Sequence, residues 1–216
     1  MSTSKTRDAR VVILGDSYST FEGYVPAHQA FYYPKPEKVP DLSRVEETWW
    51  HQLTQRRNLR ILINDSYSGS TVCNHTRDGQ PPESAFIKRM HVTLSDAGVN
   101  GEKPDTIIIF GATNDSWLDR GIGEVKVADW TREELRCVLP AYCHLLDYVT
   151  KHNPQAEIYC VVNDVLKPEI HAGLIAAAAH YGVKAVVLEN VDKSNGHPTV
   201  LGMAQIAQQI EREMDK

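Results

Sequence analysis

The stretch that decides the fold is Val11-Val12-Ile13-Leu14-Gly15-Asp16-Ser17-Tyr18-Ser19. Its four apolar β-formers predict a buried strand, and the glycine and short polar residues after them predict a tight turn. Ser17 therefore lies at the carboxyl end of a strand, where open α/β sheets place their ligands. A serine in that position either hydrogen-bonds a ligand or acts as a nucleophile beside a base.

Short strand-like segments alternate with amphipathic segments along the rest of the chain. The predicted strands are 11–14, 60–64, 106–110, 157–162 and 184–188, and the predicted helices are 43–56, 83–97, 131–151, 168–181 and 198–214. Five βα units in succession predict a doubly wound parallel sheet with helices on both faces. Two irregular segments, 22–41 and 118–130, follow strand ends, so we expect them to wall any site there.

The composition is that of one ordinary globular domain spanning residues 1–216, with 42% hydrophobic and 24% charged residues. The formal net charge is −5, so the chain lacks the excess of positive charge that nucleic-acid-binding domains have, and we expect no nucleic-acid partner. The apolar runs are too short to span a bilayer. The first residues carry no hydrophobic signal segment, which predicts a cytoplasmic protein unless a signal has been removed.

The four cysteines and nine histidines show no metal-site spacing. Cys73, Cys137, Cys143 and Cys160 contain no C-x-x-C pair, which predicts reduced and mostly buried thiols. No two histidines have the H-x-x-x-H or H-E-x-x-H spacing of a helical zinc site. We therefore expect neither a metal nor another cofactor.

Three further groups are expected at the same edge of the sheet as Ser17. Gly69 lies among small polar residues after the second strand, Asn114 follows the third strand, and His197 precedes the last helix. The carboxyl ends of parallel strands meet at one edge, so these groups converge. Together with Ser17 they comprise a nucleophile, a general base and donors for an oxyanion.

Gly15-Asp16-Ser17, Gly69, Asn114 within Gly-x-x-Asn-Asp, and His197 within His-Pro resemble the four sequence blocks of the SGNH, or GDSL-type, hydrolases. The resemblance covers essentially the whole chain. It implies a flavodoxin-like three-layer α/β/α fold and a serine hydrolase that acts mostly on esters. By this resemblance Ser17 attacks the acyl carbon and His197 carries its proton. The N–H groups of Ser17 and Gly69 and the amide of Asn114 would bind the oxyanion.

The chain departs from the family pattern at two positions. The family has an aspartate three residues before the histidine, where this chain has Ser194. Asp192, five residues before His197, is the nearest carboxylate. Either Asp192 orients His197 through a longer loop, which the loop length slightly favours, or a backbone carbonyl does so in a Ser–His dyad. Ala112 also stands where the family has a glycine two residues before Asn114.

We expect the substrate to carry a short acyl group on a polar alcohol, such as an acetylated sugar. No long apolar loop offers an acyl-chain channel, and aromatic residues flank the predicted rim. Trp117, close after Asn114, is the aromatic residue expected to contact substrate. The alternatives are a lipase-like or lysophospholipase-like esterase and a non-catalytic binding protein on the same fold. A flavodoxin-type nucleotide binder is disfavoured, because the loop after the first strand is not a glycine-rich phosphate cradle.

Overall fold

Five parallel strands form the centre of the molecule. The structure is a computed structural model, and it describes residues 9–216. The strands are β1 (Ala9–Gly15), β2 (Leu59–Ser66), β3 (Thr106–Phe110), β4 (Glu157–Val162) and β5 (Lys184–Val187). They pair in the order β2-β1-β3-β4-β5, and every pair is parallel. The predicted doubly wound five-stranded sheet is therefore confirmed.

Helices cover both faces of this sheet. In the described part of the chain they are α1 (Trp49–Arg57), α2 (Phe86–Thr93), α3 (Thr113–Trp117), α4 (Val138–His152), α5 (Pro168–Tyr181) and α6 (Val200–Met214). Successive residues of β1 alternate between the two layers. Val12 and Leu14 pack with residues of α2, α4 and α5, whereas Val11 and Ile13 pack with residues of α1 and α6. The result is the expected three-layer α/β/α sandwich.

Three helices begin later than the hydrophobic periodicity predicts. Before α1, α2 and α4 the structure has a single 3-10 turn, at Val45–Glu47, Pro82–Ser84 and Glu134–Arg136 respectively. One extended residue then separates each turn from its helix: Thr48, Ala85 and Cys137. A periodicity of 3.6 residues continues across such a short break, so sequence patterning merges the turn with the helix. Helix α5 begins and ends as predicted, from Pro168 at its first turn to Gly182 after its end.

The winding of the sheet reverses between β1 and β3. From β1 the chain adds β2 on one side and then crosses to β3 on the other side. At such a switch point the connections leave in opposite directions and open a crevice above the carboxyl ends of the strands. Ser17 follows β1 and α3 follows β3, so the predicted site groups lie at this crevice.

None of the helices formed by residues 9–216 is long and apolar enough to cross a membrane. The four cysteines are free thiols, as expected. The expectation about a signal segment concerns the first residues of the chain, and residues 1–8 lie outside the part that the structure describes.

Candidate active site

The Ser17 side chain lies at the turn that leaves β1. Ser17 begins a single 3-10 turn, and the Asp16 carboxylate caps that turn by accepting the Tyr18 N–H at 3.1 Å. The Ser17 amide is the first N–H of this turn, a position without an intrahelical acceptor. Gly15 allows the close approach of β2, since a Cβ at Gly15 would lie 2.5 Å from the hydroxyl of Ser66.

His197 lies on a small hairpin whose turn is Asn195-Gly196. Its strands β6 (Lys193–Ser194) and β7 (His197–Pro198) are antiparallel. The two turn residues have φ angles of 49° and 78°, the conformation in which Asn-Gly is the preferred two-residue turn. The hairpin brings His197 Nε2 to 3.0 Å from Ser17 Oγ. This is the contact that a general base requires.

The structure does not bring the Asp192 carboxylate to His197, the contact that the triad interpretation requires. The Asp192 carboxylate accepts the hydroxyl of Thr199, and the Asp192 carbonyl accepts the Thr199 N–H at 3.2 Å. Thr199 in turn caps α6 by accepting the Gly202 N–H at 3.2 Å. The extra loop residues are used by the hairpin, and Asp192 braces the start of α6. Among residues 9–216 the hydrogen-bond partner of His197 Nδ1 is the Asn195 carbonyl, at 3.4 Å.

Burial sets the protonation state of His197. The residue is 9% exposed, and the loss of water lowers the pKa of His197 to about 4. The Asn195 carbonyl opposes this shift and the positive charge of Lys35 adds to it. A carbonyl can only accept, so the single proton of the neutral ring lies on Nδ1. Nε2 is therefore left to accept the proton of Ser17.

Gly69 and Asn114 lie together where β2 and β3 end. Gly69, with a φ of 82°, is the third residue of a turn closed by the Ser70 N–H on the Tyr67 carbonyl at 3.1 Å. Glycine is favoured in that conformation. Asn114 is buried and donates one amide hydrogen to the Ser70 carbonyl at 3.0 Å. No other described residue accepts its second amide hydrogen, and the turn does not use the Gly69 N–H. Both donors are thus available to a bound oxygen.

Two neighbours of Asn114 hold this arrangement. Asp115 is fully buried, and its carboxylate accepts the N–H groups of Val72 at 2.8 Å and Cys73 at 3.3 Å. It therefore ties α3 to the loop that follows β2. Ala112, directly before α3, has a φ of 72°. This conformation costs a residue with a side chain about 1–2 kcal/mol, which explains why glycine suits the position.

A buried ion pair joins the ends of β1 and β2. Arg89 on α2 and Asp65 on β2 have side chains only 6% and 3% exposed, with 3.3 Å between nitrogen and oxygen. Arg89 also donates to the Gly15 carbonyl at 3.0 Å and to the Ser70 hydroxyl at 3.2 Å. One side chain thus links the strand before Ser17 to the loop that carries Gly69. No sequence pattern indicates this role, because an arginine on an amphipathic helix resembles a solvent-facing residue.

Tyrosine rings pack around His197. The Tyr32 ring stacks on the imidazole with 3.6 Å between centroids and an interplanar angle of 3°. The Tyr18 and Tyr33 rings lie 5.4 and 6.3 Å away, and their hydroxyls donate to carbonyls of the His197 hairpin. From the sequence we expected only that the irregular segment 22–41, which contains Tyr32, walls the site. Its contact with His197 depends on tertiary structure and has no local signal.

Trp117 lies beside the same imidazole and faces solvent. Its ring centroid is 5.6 Å from that of His197, and 45% of the residue is exposed. A large half-exposed ring next to a reaction centre can stack on a substrate.

Within the described residues, no group of three or more His, Cys, Asp or Glu side chains is placed to hold a metal ion.

The fold and the site together define the class. A parallel α/β/α sheet with a serine after β1, a histidine before α6 and an asparagine after β3 is the arrangement of an SGNH-type hydrolase. The family model for GDSL-like lipases and acylhydrolases matches residues 9–214, so the chain belongs to this family of ester hydrolases.

Two solved structures from Bacteroides species resemble nearly the whole chain. A candidate GDSL-like lipase from Bacteroides uniformis is 36% identical with a TM-score of 0.88, and the match covers 97% of both chains. Another from Bacteroides ovatus is 38% identical with a TM-score of 0.87, covering 97% of this chain and 99% of that one. An acetyl xylan esterase from Butyrivibrio proteoclasticus shares the fold at 17% identity and a TM-score of 0.59, covering 94% and 62%. No curated protein sequence matches significantly.

Proposed function

We propose that this chain hydrolyses short acyl esters of polar alcohols, acetylated sugars above all, through an acyl-enzyme formed on Ser17. The observation that carries the proposal is the 3.0 Å contact between Ser17 Oγ and Nε2 of a neutral, buried His197. A serine hydroxyl is a weak nucleophile at neutral pH and needs such a base. The chemistry requires no cofactor.

Acylation uses the groups at the strand ends. Nε2 of His197 takes the hydroxyl proton while Ser17 Oγ attacks the acyl carbon. The negative charge that develops on the acyl oxygen is held by the N–H groups of Ser17 and Gly69 and the free amide hydrogen of Asn114. Donors fixed in advance stabilise the transition state because they need no reorganisation when the charge forms.

The proton on Nε2 then goes to the leaving group. His197 passes it from Nε2 to the oxygen of the leaving alcohol, and the ester bond breaks. A water molecule takes the place of the alcohol, gives its proton to Nε2 and attacks the acyl carbon. The proton returns to Ser17 Oγ as the acid departs. Throughout, the Asn195 carbonyl keeps the other ring proton on Nδ1, which makes the catalytic unit a Ser–His dyad.

The surroundings of the dyad support a polar alcohol. The groups at the reaction centre are backbone N–H groups, an amide and an imidazole, and the exposed ring beside them belongs to Trp117. Flat aromatic faces suit the C–H faces of sugars. The fold is shared with an acetyl xylan esterase, although at 17% identity that likeness concerns the fold alone.

The direct test is covalent labelling of the purified protein with a fluorophosphonate, followed by mapping of the modified residue. We expect the label on Ser17, and we expect Ser17→Ala to lose the label and nearly all hydrolysis of p-nitrophenyl acetate. Ser43→Ala, which changes an exposed serine, is the matched control and should behave as the unaltered protein. Labelling at another serine would refute the assignment, and a lack of hydrolysis and labelling would favour a binding protein.

A further inference from the structure

Residues 30–33 contact all three parts of the proposed machinery. The Ala30 carbonyl accepts the Ser68 N–H at 2.8 Å, beside Gly69. The Tyr32 N–H donates to the Thr20 hydroxyl at 2.8 Å, and that hydroxyl donates to the Ser17 carbonyl at 3.0 Å. The Tyr33 hydroxyl donates to the carbonyl of the residue after His197 at 2.9 Å. Residues 30–33 are therefore anchored to the nucleophile, the oxyanion loop and the base.

Tyr32 makes the closest ring contact with the base. Its ring lies 3.6 Å from the imidazole and within 3° of parallel, so the two faces are in full contact. His197 Nδ1 has only a long hydrogen bond of 3.4 Å to an uncharged carbonyl. That bond restricts rotation of the imidazole weakly and supplies no negative charge to the imidazolium. The flat Tyr32 ring restricts the same rotation sterically and offers the negative face of a π system.

We propose that Tyr32 is a positioning residue that takes over the part of the missing carboxylate, an inference that rests on the proposed function. Its ring keeps Nε2 directed at Ser17. When the Ser17 O–H bond breaks, its electron pair forms the bond to the acyl carbon and its proton forms the new N–H bond on Nε2. The imidazole then carries a full positive charge against the face of Tyr32. The charge is lost again when the proton moves to the leaving alcohol.

A graded series at position 32 separates this role from space filling. Tyr32→Phe keeps the ring and should retain kcat within about threefold. Tyr32→Leu fills similar space without a π face and should lower kcat on the order of 10- to 100-fold, with KM changed by less than about threefold. Tyr24→Leu is the matched control, because Tyr24 is a half-exposed tyrosine that packs on Trp50. Equal kcat for the Phe and Leu variants would overturn the proposal.

A second measurement avoids any change of shape. Phenylalanines with one, three and five ring fluorines at position 32 keep the ring while they progressively remove the negative charge of its face. We expect log kcat to fall steadily along this series at constant KM. A flat series would overturn the proposal. The Ser17→Ala variant separates this failure from failure of the proposed function, because it remains inactive only if Ser17 is the nucleophile.

Discussion

The Asn195 carbonyl oxygen lies 3.4 Å from Nδ1 of His197, at the atom where a triad has a carboxylate. The carbonyl fixes which nitrogen carries the proton, but it has no net charge to balance an imidazolium. In a triad the carboxylate provides both effects. Burial is the main cause that lowers the pKa of His197 to about 4, and the hydrogen bond to the Asn195 carbonyl opposes this shift without cancelling it.

The first prediction concerns Asp192, whose carboxylate accepts a hydrogen bond from Thr199 rather than from His197. Asp192→Asn should lower kcat for p-nitrophenyl acetate by less than about tenfold, because asparagine also accepts a hydrogen bond and the dyad is untouched. His197→Ala should lose nearly all activity. A loss on the order of a thousandfold or more in Asp192→Asn would restore the triad.

The second prediction concerns pH. An imidazole is an active base only when neutral, and the pKa of His197 is lowered from 6.5 to about 4. The neutral ring therefore persists between these two values, where an exposed histidine would be charged. We expect kcat/KM, which reports the free enzyme, to stay level down to about pH 5 and to fall as pH drops through about 4. Circular dichroism at each pH should show that the fold persists.

Two variants test whether the acid limb of kcat/KM belongs to His197. Burial raises the pKa of Asp16 to about 7, so a limb near pH 7 that disappears in Asp16→Asn would belong to Asp16 instead. Lys35→Gln removes the positive charge that lowers the pKa of His197, so the acid limb of this variant should move to higher pH. An acid limb near 6.5 in the unaltered protein would contradict the burial of His197.

Local patterning was sufficient to predict most of the fold. The strand Thr106–Phe110 was predicted with its observed ends, because a short continuous run of β-branched and aromatic residues is typical of a strand that is buried on both faces of a parallel sheet. Helix α1 was predicted too long because Thr48, one extended residue, interrupts the chain without interrupting the hydrophobic pattern. Breaks of this kind depend on hydrogen bonds at helix ends, which periodicity does not record.

The site was predictable only where each group has a local signal. Ser17, Gly69, Asn114 and His197 each lie at a strand or helix end that the sequence marks. Arg89 and Tyr32 contact residues that are distant in sequence, and the residues next to them in the sequence give no signal of those contacts. Asp192 lies away from His197 because Asn195-Gly196 forms a two-residue hairpin turn, which uses the loop length that a returning carboxylate would need.

The third prediction concerns the Asn114 amide. Asn114→Ala should lower kcat roughly 100- to 1,000-fold with little change in KM, because the donor acts mainly on the charge of the transition state. The unfolding temperature should be compared as well, since the Asn114 amide also donates to the Ser70 carbonyl at 3.0 Å. A large rise in KM at constant kcat would mean that Asn114 binds substrate and transition state equally.

The fourth prediction concerns the buried pair of Arg89 and Asp65. Arg89→Met leaves the Asp65 carboxylate buried without its partner, which should lower the free energy of unfolding by about 3–5 kcal/mol. Urea denaturation measures this change. Arg136→Ala, which removes an exposed pair with Glu133, is the control and should change it by less than about 1 kcal/mol. Adding Asp65→Asn to Arg89→Met should recover part of the loss, and no recovery would contradict an unpaired charge as the cause.

The last prediction concerns the acyl chain and Trp117. The groups proposed to contact the ester carbonyl are polar and the exposed Trp117 ring beside them is assigned to the alcohol side, so kcat/KM should fall from p-nitrophenyl acetate to the octanoate ester. A rise with chain length would favour a lipase-like enzyme with an apolar groove.

Trp117 is 45% exposed beside His197, and we expect it to bind the alcohol side of the substrate. Trp117→Ala should raise KM for an acetylated xylo-oligosaccharide about 5- to 30-fold, which corresponds to losing a stacking contact of roughly 1–2 kcal/mol. Trp117→Phe should keep most of the affinity, and hydrolysis of p-nitrophenyl acetate should change far less in both variants. An equal loss on both substrates would show that Trp117 supports the His197 hairpin instead of binding sugar.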